Sequence, residues 1–113
     1  MCRPRPDGLR GVPGTSYELG RLAMVKAPAL QRVGRAEEAV KLLRKAAVTF
    51  RAHGERLWYV DARIAEGAAL YHLGAIEQAL EVWRSVENDP LLDDVRTVRL
   101  AHNIALCHAD LGL

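Results

Sequence analysis

A short phrase occurs twice in this 113-residue chain, forty residues apart. The first copy is Gly34-Arg35-Ala36-Glu37-Glu38-Ala39-Val40 and the second is Gly74-Ala75-Ile76-Glu77-Gln78-Ala79-Leu80. An apolar residue, Val33 or Leu73, precedes each copy, and an amphipathic stretch of helix formers follows. Gly112 falls thirty-eight residues beyond Gly74. Self-similarity at this period signals stacked helical hairpins, because one hairpin cannot bury its apolar face without a neighbour. The constraint acts on architecture first and on activity only through it.

Five helices follow from the apolar spacing and its punctuation. Residues 1–14 hold Pro4, Pro6, Pro13 and three glycines with little to bury, and read as a flexible leader. Thr15-Ser16-Tyr17-Glu18 has capping-box spacing, which predicts a helix over 16–33 with Leu22, Val25, Ala29 and Leu30 along its inner side. Pro28 inside it removes a backbone donor and is expected to kink it. The second helix, 35–53, carries Ala36, Ala39, Val40, Leu43, Ala46, Ala47 and Phe50 at spacings of three and four. The third, 55–73, carries Val60, Ile64, Gly67, Ala68 and Tyr71, and the fourth, 75–88, carries Ile76, Ala79, Leu80, Val82, Trp83 and Val86. Asp89 is the expected N-cap beyond the break, with Pro90 in the first turn. The last helix runs from Leu92 or Asp94 to Leu111 with Val98, Ala101, Ile104, Ala105 and Cys107. Gly34 ends the first helix by offering a left-handed cap, Gly54 closes the second, and Gly112 is a further turn glycine. Ala39, Ala46, Gly67, Ala79 and Ala105 mark the expected points of close approach.

At these residues the chain resembles the tetratricopeptide-repeat (TPR) family in its long-repeat bacterial form. In the second unit Glu66-Gly67-Ala68-Ala69-Leu70-Tyr71 matches the first repeat helix, Gly74 the turn, Ala79 the small residue of the second helix, Trp83 the bulky one and Pro90 the closing proline. Ala27, Leu30, Gly34, Ala39, Leu43 and Ala46 match in the first unit, and Ile104-Ala105 with Gly112 in the third. The spacings exceed the family's usual ~34 residues, so its helices should be longer by about a turn. The resemblance implies an all-α, right-handed superhelix of antiparallel hairpins (an α-solenoid). It divides the domain 15–113 into repeats of about 20–59, 60–97 and a partial 98–113. It also implies a groove lined by the first helix of each hairpin, here Arg21, Met24, Pro28, Gln31 and Arg32, then Asp61, Ile64, Ala68, Tyr71 and His72, then Arg99, His102, Leu106, Ala109 and Asp110. Such a wall, apolar in the middle and polar at its ends, suits an amphipathic helix or extended peptide. The implied role is non-catalytic protein binding in bacterial regulation or signalling, with no cofactor.

Composition bounds the alternatives. Half the residues are hydrophobic but only 5% are aromatic, which suits close helix packing. No apolar run approaches the roughly 20 residues that span a bilayer, and no apolar stretch follows the basic start, so neither a membrane anchor nor a secretory signal is expected. Cys2 and Cys107 stand alone at opposite ends, which fits a reducing, cytoplasmic setting. His102, Cys107 and His108 have the wrong spacing for ligands on one helix face, and Leu91-Leu92 interrupts the acidic run at 87–94 that a calcium loop would need. No phosphate loop or nucleophile motif is present, so an enzyme is not expected.

Net charge is +2, but residues 1–56 carry twelve basic against five acidic residues and residues 57–113 four against nine. The asymmetry fits steering of a charged partner or head-to-tail association, or simply solvated helix faces. Two further partner classes stay open. A second copy could cover Leu100, Ile104, Leu111 and Leu113 on the last helix, and the chain could equally be a piece of a longer solenoid. Nucleic acid would need Arg32, Arg35, Lys41, Arg44, Lys45 and Arg51 on one face, but acids interleave with them.

Overall fold

Four helices end in the same hydrogen-bonded turn. In the computed structural model, which describes residues 13–113 and side chains from residue 16, the elements are α1 (Pro13–Arg32), α2 (Ala36–Ala52), α3 (Arg56–Leu73), α4 (Ile76–Arg84) and α5 (Asp94–Leu111). After α1, α2, α3 and α5 the amide five residues beyond an orphan carbonyl returns to it: Arg35 to Leu30 at 2.8 Å, Glu55 to Phe50 at 2.9 Å, Ala75 to Leu70 at 2.9 Å and Leu113 to His108 at 2.8 Å. That bond requires the intervening residue to adopt positive φ, which glycine does without steric penalty. Gly34, Gly54, Gly74 and Gly112 have φ of 72–88°. A Cβ at any of them would meet no atom within 4 Å, so conformation and not space selects glycine there.

Consecutive helices pack against one another, and α1 also touches α3. No strand occurs among the described residues. The α2 stripe is buried as its spacing predicts, from Ala36 through Phe50, with Leu43 and Phe50 fully enclosed. The larger core cluster joins all five helices through residues such as Leu30, Leu43, Leu70, Trp83 and Ile104. A smaller one at the other end gathers Ala23, Ala46, Ala47, Phe50 and Ala62 under Tyr17 and Trp58. Trp83 lies directly on Gly67, where a Cβ would fall 2.2 Å from its Nε1, and that nitrogen donates to the Ile64 carbonyl at 2.9 Å. Glu66, 1% exposed, accepts from Arg44 of α2 and from Arg63, each at 2.9 Å, and so ties α2 to α3 with a charge-assisted pair.

Several expectations are corrected. α1 begins at Pro13, ahead of the expected capping box, and continues through Pro28. Positions 1–12 of the expected leader lie outside the described residues. The inner side of α1 is Gly20, Ala23, Ala27 and Leu30, while Leu22, Val25 and Ala29 face outward. Small residues win this face because α1 lies close to α2: a Cβ on Gly20 would already be 3.2 Å from the Phe50 ring. α4 stops at Arg84, and turns occupy 85–88. Asp89 does not cap the last helix. Its Oδ1 accepts from the Leu91 amide two residues on, and Asp93 caps α5 through the Arg96 amide at 2.8 Å. Ala105 is exposed and marks no helix contact. Leu100 and Ile104 are buried in the core and Leu111 is half-buried, so of the three leucines and one isoleucine expected to await a second copy only Leu113 is exposed.

Candidate protein-interaction face

The expected groove helices α1, α3 and α5 are joined by polar contacts that use several of the groove residues themselves. Asp61 accepts both Nε (2.6 Å) and Nη2 (3.0 Å) of Arg96, a bidentate pair from α3 to α5 that holds the guanidinium further into its charged form. Arg96 also reaches the cap residue Asp93 at 2.7 Å. Tyr71 donates its hydroxyl to Asp110 on α5. That bond, with burial and the nearby carboxylate behind it, raises the phenol above its ordinary range. His72 Nδ1 lies 3.0 Å from the Ala68 carbonyl and 3.5 Å from Gln31 Nε2 on α1. Asp61 and Tyr71 therefore tie α3 to α5, whereas His72 Nδ1 can donate to Ala68 or accept from Gln31 but not both.

The remaining groove residues divide by exposure. Met24, Ile64 and Ala68 are half-buried against the core. Arg32, Arg99 and His102 are exposed, and Pro28, Leu106, Ala109 and Asp110 are exposed as well. Arg21 and Met24 line a shallow cleft of about 470 Å³ between α1 and the start of α3, with Glu18, Leu22, Val25 and Trp58. The Arg21 guanidinium lies 5.6 Å from the Trp58 ring centroid and 5.9 Å from that of Tyr17. Trp58 in turn stacks on buried Phe50 at 5.5 Å, which fixes its plane. The result is a rigid aromatic floor carrying the Arg21 guanidinium, with the Glu18 carboxylate also in its lining, beside Leu22 and Val25, 57% and 73% exposed.

Sequence reasoning placed Arg21 and Met24 here but missed Trp58, Leu22 and Val25. Trp58 sits in the first turn of a helix, where the repeat pattern gave it no role. Leu22 and Val25 had been assigned inward. A signal for the reverse was present, since Gly20, Ala23, Ala27 and Leu30 have the same spacing of three and four as the buried stripe of α2.

Several residues of the other chemistries are engaged elsewhere. Cys107 is buried in the core, where desolvation, reinforced by Asp110, pushes its thiol up, while His102 is exposed and His108 accepts from Arg84 at 2.7 Å. Of the basic residues considered for nucleic acid, Arg44 is paired with Glu66 and Arg35 with Glu38 at 2.6 Å, and Arg51 lies over Tyr59. Among the described residues no helix is long and apolar enough to cross a membrane. Comparison with protein-family models, curated proteins and solved structures finds no match.

Proposed function

We propose that this chain is a non-catalytic interaction module of TPR type, a right-handed stack of hairpins that holds a peptide or a helix of a partner protein along the α1–α3–α5 side. The setting we assign is cytoplasmic, in bacterial regulation or signalling, on the strength of the long-repeat resemblance. The observation that carries the reading is the cleft at Arg21, Val25 and Trp58. Exposed apolar side chains there flank a fixed aromatic surface, the kind of anchor pocket that dominates binding energy in protein interfaces. The guanidinium beside it selects a ligand that places a carboxylate next to an apolar anchor.

A random peptide library displayed on phage and panned against the full 113-residue chain tests this. Enriched sequences should pair an apolar residue with Asp or Glu, and should bind Val25→Glu or Trp58→Ala at least about tenfold more weakly, since such anchors contribute roughly 2 kcal/mol or more. Absence of enrichment, or binders indifferent to both substitutions, would reject the site.

A further inference from the structure

We propose that the chain associates with copies of itself head to tail, α5 of one molecule lying in the open groove between α1 and α2 of the next. Two surfaces carry this inference, the first of which shares only Leu22 with the α1–α3 cleft. The α1–α2 pair has two flanks. α3 packs against one of them. The other is an open groove of about 280 Å³ whose apolar floor includes Leu19, Ala23 and Leu42 and whose rims carry Lys26 and Lys45. Leu19 is 59% exposed on it.

At the opposite end of the molecule α5 uses one side for its neighbours. Leu100, Ile104 and Cys107 enter the core, Arg96 bonds α3 and His108 bonds α4. Its outward side bears Val95, Val98, His102, Ala105 and Ala109, all exposed and spaced alternately by three and four. That spacing places them in one row along the helix. A mostly apolar row at knob spacing is the complement of a groove between two antiparallel helices, and the packing of α3 on α1 and α2 shows that this pair accepts a helix.

Charge decides the occupant. Residues 13–52, which form α1 and α2, hold eight basic side chains against three acidic; residues 74–113 hold three basic against seven acidic. Asp94 stands at the start of the α5 row, beside Asp93, which Arg96 already pairs, and the groove rims are lysines. Two α5 rows meeting each other would bring like-charged ends together, whereas α5 in the α1–α2 groove brings opposite charges together. Because the two surfaces differ, the contact is heterologous and leaves one free surface at each end, so assembly continues with concentration unless a ring closes.

The test is sedimentation of the full chain with two pairs of substitutions to glutamine, a good helix former without charge. Leu19→Gln/Lys45→Gln impairs the groove and Val95→Gln/Val98→Gln impairs the row; circular dichroism verifies that both variants stay helical. The native chain should gain mass with concentration and lose it as salt rises. Each variant alone should associate at least about tenfold more weakly. Mixed, they should form a one-to-one heterodimer of native affinity that grows no further, since one intact groove meets one intact row. A native chain that stays monomeric at millimolar concentration overturns the proposal. So does a groove variant that still dimerises, which would indicate a symmetric α5–α5 contact, or a mixture that fails to pair. None of these outcomes depends on the peptide cleft, whose binders are scored separately with Val25 and Trp58 variants.

Discussion

Replacing Gly67 by alanine isolates the contact on which the second hairpin depends. The new methyl would sit 2.2 Å from Trp83 Nε1, 2.5 Å from Cε2 and 2.6 Å from Cδ1. Trp83 is 2% exposed, and its indole is held by the bond to the Ile64 carbonyl, so it cannot rotate away without surrendering that bond. Overpacking of this kind costs about 1–3 kcal/mol, and a lost hydrogen bond about 1 kcal/mol. Alanine restores about 1 kcal/mol of helix propensity. The net is a loss of about 2 kcal/mol, or a fall in Tm of roughly 10 °C for a domain of this size. Urea titration followed by circular dichroism measures it, and Trp fluorescence should report a more solvated indole. In a Trp83→Leu background the clash is gone, and Gly67→Ala should turn neutral or stabilise by up to about 1 kcal/mol. Gly67→Ala that stabilises the native background would refute the reasoning, because it would mean that α3 and α4 are not held at this separation by the glycine.

Further expectations concern the polar ties. Glu66→Ala strips two guanidinium groups of their shared carboxylate and should lower stability by about 1–3 kcal/mol, moderated because Arg44 is half-exposed and can find water; Glu66→Gln should lose less by urea titration. Asp93 is held below its ordinary 3.8 first by the Arg96 amide and then by the Arg96 charge, so its contribution is complete above about pH 5 and fades as pH falls through its folded value. The stability gap between native chain and Asp93→Asn should therefore narrow in acid, and carboxyl NMR should place Asp93 among the low-titrating groups. Tyr71 is raised above 10.0; the unfolded chain releases that proton first, so stability should drop as pH rises past 10, and Tyr71→Phe should flatten that alkaline limb.

What the sequence made legible was whatever repeats locally. The four glycine turns, the α2 stripe and Gly67 as a point of close helix approach all follow from spacing along one or two helices. The orientation of α1 did not, because Leu22 and Val25 make as good a helical stripe as Gly20, Ala23 and Ala27 until α2 and Phe50 are present to demand small residues. The same holds for α5. Leu100 is expected outward and Val98 and Ala101 inward, with Ile104 placed in both sets, and the rotation observed buries Leu100, Ile104 and Cys107 while Arg96 donates to Asp61 and Arg84 to His108. Asp89 and Asp93 compete for one cap, and the choice rests on where the chain turns after α4. For the expected groove, family resemblance could not separate residues left exposed on α1, α3 and α5 from those, such as Asp61 and Tyr71, that bind the next helix.

The most direct test of the interaction face is amide chemical-shift mapping of the full chain, titrated with one peptide selected by panning. The account predicts saturable shifts centred on Arg21, Val25 and Trp58, extending along α3 toward α5, with little change at the turns near Gly34 and Gly74. Shifts confined to α2 and α4, or none at peptide concentrations that saturate capture, would contradict it.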